Sequence, residues 1–302
     1  MKKESERFDL AAAVLPGRLR MAALALPEEV RVTAEELRLR VGQPLSVLLP
    51  EGERVLSEVV EPQDLETLCD LATEFSRYAA AETMGAGYLP VKGGFRVGLC
   101  GTAVMKEGSA VNLKRLSSAA IRISREQLGI GEELADRLVQ EGQVQSTLLL
   151  SPPGGGKTTL LRDLIRALSQ GSPDRRPLRV ALIDERSEVA VCYHGIPQLH
   201  IGPHTDVLDG CPKAVGIPMV LRAMNPELIA VDEITAEEDL RAMALASGCG
   251  VGLLATVHAS DISDLERKPL YRELLASQVF RQAIRIAVRD GKRVYELEGL
   301  PC

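Results

Sequence analysis

Two blocks of unlike grammar divide this 302-residue sequence, and together they predict an α/β core preceded by a smaller α+β N-terminal domain. Three observations carry that prediction. From Gly129 onward, continuous apolar runs ("STLLLS", "LRVALIDE", "ELIAVDEI", "VGLLATVHA") alternate with stretches of helical spacing, the pattern of a parallel sheet covered on both faces. Before that point, short alternating runs among glycines read as antiparallel strands and hairpins. At the junction of "STLLLS" with the helix after it stands a cluster of three glycines, Gly154 to Gly156. The expected boundaries are 1–128 and 129–302.

In order, "RFDLAAAVLPGRLRMAALAL" has helical apolar spacing broken at Pro16-Gly17, which predicts two short helices. "EELRLRVGQPLSVLLPEGERVL" alternates about Leu37, Leu39 and Val41 and reads as strand, turn, strand. "PQDLETLCDLATEFSRYAAAETM" is helical, with Leu65, Leu68, Leu71, Ala72 and Phe75 on one face. The Gly-rich run from Gly87 to Ser124 closes the first block with strands. In the second block, "GEELADRLVQEG", "KTTLLRDLIRALSQG" and "AEEDLRAMALASG" read as helices, and the chain ends in a helix and a hairpin.

Composition narrows the function classes. Charged residues make up 26% and apolar ones 45%, ordinary for a soluble globular chain. A net charge of −6 gives the whole molecule no attraction for polyanions, and 3% aromatics without Trp leaves little for base stacking. No nucleic-acid partner is expected. "MKKESERFDL" lacks an apolar signal segment, and the longest apolar stretches are far short of the roughly 20 residues of a membrane helix, so no direct membrane insertion is expected. Six cysteines without a C-x-x-C pair read as reduced thiols of a cytoplasmic protein.

The glycine cluster sits in "LLLSPPGGGKTTLLRDL", close to the phosphate-loop pattern G-x-x-x-x-G-K-[ST], with Ser151 where the first glycine belongs. Such a loop needs converging backbone N–H groups and residues small enough for a phosphate to approach. Pro153, Gly154, Gly155, Gly156, Lys157, Thr158 and Thr159 form the expected ATP cradle: Lys157 meets the β/γ-phosphates, and Thr158 offers a hydroxyl to Mg²⁺. Ser151, followed by two prolines, shapes the loop's entrance rather than the cradle.

Two further apolar strands end in acid pairs. "LIAVDEI" offers Asp232 for Mg²⁺ and Glu233 to orient the attacking water. "VALIDERSEV" offers Asp184 and Glu185, so the general base is Glu233 or Glu185. "LLATVHASD" places His258 at a strand end, poised to sense the γ-phosphate. The spacing of Cys192, His194, His200, His204 and Cys211 matches no standard zinc site, and this stretch reads as a mobile loop near the nucleotide.

In sequence, "PPGGGKTTLLRD", "LIDERSE", "LRAMNPELIAVDEI" and "LLATVHA" resemble the Walker A, Asp box, Walker B and His box of the secretion ATPase superfamily, which serves type II and type IV secretion and pilus assembly and retraction. Within it, "EELRLRVGQPLSV", "GFRVGLCGTAV", "LSSAAIRISRE" and "TDVLDGCPKA" are similar to the stage III sporulation AA family of endospore-forming bacteria. The resemblance covers nearly the whole chain. It implies a RecA-like core and a ring, a hexamer, with ATP bound between subunits. It also implies a place in the mother-cell cytoplasm, peripheral to the membrane, where channel or secretion-complex proteins are the partners and the work is to power or assemble the channel to the forespore. Arginine fingers from a neighbour's N-terminal domain are part of the family pattern; Arg96 and Arg122 lie in matching segments, and Arg222 is a further candidate. Where secretion ATPases carry Gly before the Walker B Glu, this chain has Asp232, and only a single histidine stands in the His box. Two other classes fit a RecA-like core: a nucleic-acid-directed ATPase, marked by nucleic-acid stimulation with steep salt dependence, and an ATP-dependent scaffold that assembles without phosphate release.

Overall fold

The computed structural model describes residues 2–77, 80–106, 108–289 and 291–301. The chain divides into two compact units, Met1–Arg125 and Glu126–Cys302.

The first unit begins with α1 (Lys2–Ala12), α2 (Gly17–Leu24) and α3 (Glu28–Thr33), continues through β1 (Glu36–Arg40), β2 (Pro44–Leu49), β3 (Gly52–Val59), α4 (Pro62–Ala72) and α5 (Ala81–Gly85), and closes with β4 (Tyr88–Val91), β5 (Phe95–Lys106) and β6 (Ser109–Arg122). The six strands form one antiparallel sheet in the order β3-β2-β1-β6-β5-β4. Leu37 and Leu39 alternate inward with Arg38 and Arg40 outward, so one face packs with Phe8, Leu19, Leu65, Leu68 and Phe95. Two expectations need correction. The stretch read as strand, turn, strand holds three strands, because the chain turns again at Gly52, which has φ +136°. Phe75 does not join the buried face of α4: Glu74 and Phe75 take positive φ past the helix end, and Phe75 is left 76% exposed.

The second unit runs α6 (Glu132–Leu138), β7 (Val139–Gln140), β8 (Gln143–Val144), β9 (Thr147–Ser151), α7 (Lys157–Gln170), β10 (Val180–Asp184), β11 (Cys192–Tyr193), β12 (Ile196–Pro197), β13 (Thr205–Asp209), α8 (Lys213–Ala223), β14 (Leu228–Val231), α9 (Glu237–Gly248), β15 (Gly252–His258), α10 (Ile262–Arg267), α11 (Pro269–Ala276), β16 (Gln282–Arg289) and β17 (Lys292–Gly299). Its main sheet has the order β13-β10-β14-β15-β9-β16-β17, parallel except for β17. Both faces are buried, which is why these strands read as unbroken apolar runs. Leu148, Ala181, Ile183, Ile229 and Leu253 pack on one side, while Leu149, Leu182, Ala230 and Leu254 pack on the other. The stretch expected to be a mobile loop instead supplies the small β11–β12 hairpin and the edge strand β13. No helix of the described residues is long and apolar enough to cross a membrane.

Candidate functional site

The sheet order decides what meets at its carboxyl edge. Strand β9 lies between β15 and β16, so the chain leaving it must cross over β15 and β14 to reach β10, and a crevice opens at that reversal. The parallel register sets His258 opposite Ser151 and Ala255 opposite Val231. A cavity of about 390 Å³ occupies this edge; its lining includes Pro153, Gly154, Gly156, Lys157, Thr158, Thr159, Asp232, Glu233, Thr256, His258 and Arg293.

The loop's three glycines serve two different needs. Gly154 and Gly156 hold φ of +75° and +100°, which side chains disfavour. Gly155 is required for space: a Cβ there would fall 1.6 Å from the Ser151 Oγ and 3.1 Å from the Pro152 carbonyl oxygen. Ser151 is 1% exposed, and its hydroxyl donates to that same carbonyl at 3.1 Å. The residue that breaks the phosphate-loop pattern is therefore tucked beneath the loop, in room that Gly155 leaves.

Lys157 opens α7 and is 6% exposed. Its Nζ donates to the carbonyl oxygens of Ser151 (2.8 Å) and Pro152 (3.1 Å) and lies 2.8 Å from His258 Nδ1. Burial lowers its pKa from the usual lysine value, against the opposing pull of Asp232 and Glu233. His258 Nε2 lies 3.0 Å from Glu233 Oε1, and Arg186 reaches Glu233 Oε2 at 3.3 Å. One neutral tautomer satisfies both histidine contacts, with Nδ1 accepting from Lys157 and Nε2–H donating to Glu233.

Asp232 is fixed just as closely. Thr158 Oγ1 donates to its Oδ2 at 3.1 Å, and Thr256 Oγ1 donates to its Oδ1 at 2.7 Å. The Thr256 hydroxyl also accepts the Glu233 backbone N–H at 2.9 Å. Glu233 sits at φ +27°, a strained conformation for a side-chain-bearing residue, held by that bond and by a second from the same N–H to Asp232. Beyond it, Asp239 accepts the N–H groups of Thr235 and Ala236, and the Tyr271 hydroxyl donates to the Ile234 carbonyl.

The two acids at the end of β10 are placed differently. Asp184 is fully buried and accepts backbone N–H bonds from Glu188, Val189 and Ala190 at 2.8 to 3.0 Å. Burial raises its pKa against those bonds. Glu185 pairs with the buried Lys213 and lines a small recess beside Asp232 and Glu233, outside the main cavity's lining. On the first unit's sheet, Arg96 and Arg122 stand opposite each other in register on β5 and β6. The Arg96 guanidinium lies 3.9 Å from the Tyr88 ring centroid; Arg122, with a 75% exposed side chain, reaches Glu36 at 3.6 Å. Arg222, on α8, lines two surface depressions rather than the cavity.

Four members of this site are not marked by the motifs: Thr256, Arg186, Arg293 and Glu188, which also lines the cavity. Thr256 carried a signal, a lone hydroxyl in the apolar run "LLATV". Arg186 and Arg293 carried none, since arginines in loops and hairpins are ordinary surface residues.

Parallel sheet, glycine loop and strand-end acids define the fold class, α/β with a RecA-like core. The fold is that of the secretion ATPases. The pilus retraction motor PilT with bound ADP aligns with TM-score 0.62 at 17% identity, covering 89% of this chain and 80% of that one. The ATPase DotB of Yersinia pseudotuberculosis aligns with TM-score 0.61 at 16% identity, covering 93% and 79%. The chain belongs to the family described as "Sporulation stage III, protein AA", whose model matches residues 6–299. Stage III sporulation protein AA of Bacillus subtilis (strain 168) is 37% identical over 293 residues, 95% of each chain.

Proposed function

We propose that this protein is an ATP-hydrolysing motor that works as a ring, a hexamer, during endospore formation, powering or assembling the channel between mother cell and forespore. One observation carries the reading: Lys157, Thr158, Asp232, Glu233 and His258 converge on one cavity at the carboxyl edge of the parallel sheet. The sporulation family and the secretion-ATPase fold supply the setting.

In this reading the loop's backbone N–H groups and Lys157 bind the triphosphate, and positioning with charge neutralisation does most of the work. A hydroxyl and a carboxylate 3.1 Å apart, Thr158 and Asp232, are hard oxygen donors suited to Mg²⁺ and would hold it. When bound, that ion neutralises charge on the phosphate oxygens. Glu233 orients the attacking water and takes up its proton; its backbone is locked and its carboxylate lines the cavity. Glu185, already paired with Lys213, is the weaker contender for that role. His258, touching both Lys157 and Glu233, passes phosphate occupancy from one to the other. Arg122, exposed on the first unit's sheet, and Arg96 beside it serve the neighbouring subunit's phosphates. The protein works on the cytoplasmic side of the membrane, against channel or secretion-complex proteins.

Sedimentation velocity of the purified chain tests the ring. Addition of Mg²⁺-ATP to the Glu233→Gln variant should shift the chain to a single higher species of about six subunits. A monomer at every nucleotide concentration would refute it.

A further inference from the structure

Arg293 lines the cavity but belongs to neither the glycine loop nor the acid-bearing strand ends. It comes from β17, the antiparallel edge strand of the terminal hairpin, where it stands opposite Val288. Its Nε donates to the Gly155 carbonyl at 3.1 Å, across 138 residues of sequence. Gly156 passes so near that a Cβ there would lie 3.0 Å from the same nitrogen. Nothing else in the hairpin occupies this guanidinium: Glu296 is bound to Arg285 and Arg289, and Glu298 reaches Arg285. Among the described residues Arg293 has no ion-pair partner. A guanidinium carries five N–H donors in a fixed fork. With Nε given to the loop, the terminal nitrogens remain for an anion in the cavity.

We propose that Arg293 is a phosphate-binding residue of the nucleotide site, stationed there by the terminal hairpin. Its Nε braces the loop at Gly155 while its terminal nitrogens bind the phosphate chain of a nucleoside di- or triphosphate. This rests on the cavity being a nucleotide site. It adds a second cation in the same chain, facing the phosphates from the edge-strand side while Lys157 faces them from the start of α7. Charge-assisted bonds to phosphate are about twice as strong as neutral ones, and a guanidinium makes them bidentate.

Titration with fluorescent mant-ATP and mant-ADP separates this role from a purely structural one. The full-length chain would be compared with Lys157→Ala, Arg293→Ala, Arg293→Gln and Arg293→Lys, with the thermal midpoint of each recorded to confirm folding. Gln keeps an N–H donor for the Gly155 carbonyl but no charge, whereas Lys keeps the charge. Phosphate binding predicts that Ala and Gln both weaken mant-ATP by about tenfold (about 1.4 kcal/mol) and that Lys recovers part of the loss. Affinity within twofold of the unsubstituted chain for either Ala or Gln would overturn the proposal. If Lys157→Ala abolishes binding while Arg293→Ala leaves it intact, only this proposal falls. If the unsubstituted chain binds neither probe, the nucleotide-site reading falls and this one with it.

Discussion

Gly155→Ala should disable the phosphate loop, and removing the Ser151 side chain should restore part of the loss. The alanine Cβ would lie 1.6 Å from Ser151 Oγ and 2.9 Å from Ser151 Cβ. The first distance is roughly 2 Å short of ordinary non-bonded contact. Rotating the hydroxyl away relieves the first clash but not the second, and Ser151 has no room to retreat at 1% exposure. Overpacking of this kind costs about 1–3 kcal/mol. Because the loop is also the proposed phosphate cradle, nucleotide affinity should fall by about tenfold or more. Ser151→Gly alone removes a hydroxyl tucked beneath the loop and leaves the loop backbone in place, and it should change affinity by less than about tenfold. In the double variant both serine atoms are gone and the nearest obstacle is the Pro152 carbonyl oxygen at 3.1 Å, so at least ~1 kcal/mol should return as coupling between the sites. Urea denaturation and mant-ATP titration of the four proteins measure both quantities. Single-variant effects that add within about 0.5 kcal/mol, or an alanine variant that binds like the parent, would refute the reasoning.

Three further outcomes follow from the same geometry. Thr256→Val keeps shape but removes the hydroxyl that bonds both Asp232 and the Glu233 N–H; ATP turnover should fall by about tenfold to a hundredfold with nucleotide affinity changed far less, as a ratio of kcat to Kd would show. Asp184→Ala orphans three loop N–H groups and should destabilise the fold by about 3–5 kcal/mol in urea denaturation, each buried unpaired donor costing about 1–3 kcal/mol. Lys157→Met should lose nucleotide binding and show a pH-dependent stability difference. Burial places the folded pKa of Lys157 below its ordinary 10.5, so between those values the unfolded chain binds more protons. Stability of the parent relative to Lys157→Met should therefore rise as pH climbs through the folded value toward 10.5; a flat or opposite trend in urea midpoints would contradict it.

Much of the core was legible because its physics is local. Strands buried on both faces must be apolar at every position, and "TLLLS", "LIAV" and "GLLATV" advertise that directly. The glycine loop and the acids after β14 were equally plain. Strand order was not legible, since nothing in the residues of β9 says that it lies between β15 and β16. Edge strand β13 stayed hidden because "TDVLD" carries only two apolar residues and is half solvated. The difference between Glu233 and Glu185 was hidden too: both follow an apolar strand and an aspartate, and only tertiary contacts separate them, Lys213 from α8 on Glu185 and His258 from the end of β15 on Glu233. Arg293 became a site residue solely through the pairing of β16 with β9, which carries the hairpin to the loop.

The central claim is that this cavity hydrolyses ATP with Lys157 holding phosphate and Glu233 orienting water. Phosphate release by the purified chain with Mg²⁺-ATP, measured beside Lys157→Ala, Glu233→Gln and Glu185→Gln, tests it most directly. The account predicts turnover in the parent, a loss of about a hundredfold or more in Lys157→Ala and Glu233→Gln, and a rate within about threefold of the parent in Glu185→Gln. Equal turnover in the parent and Lys157→Ala would contradict it.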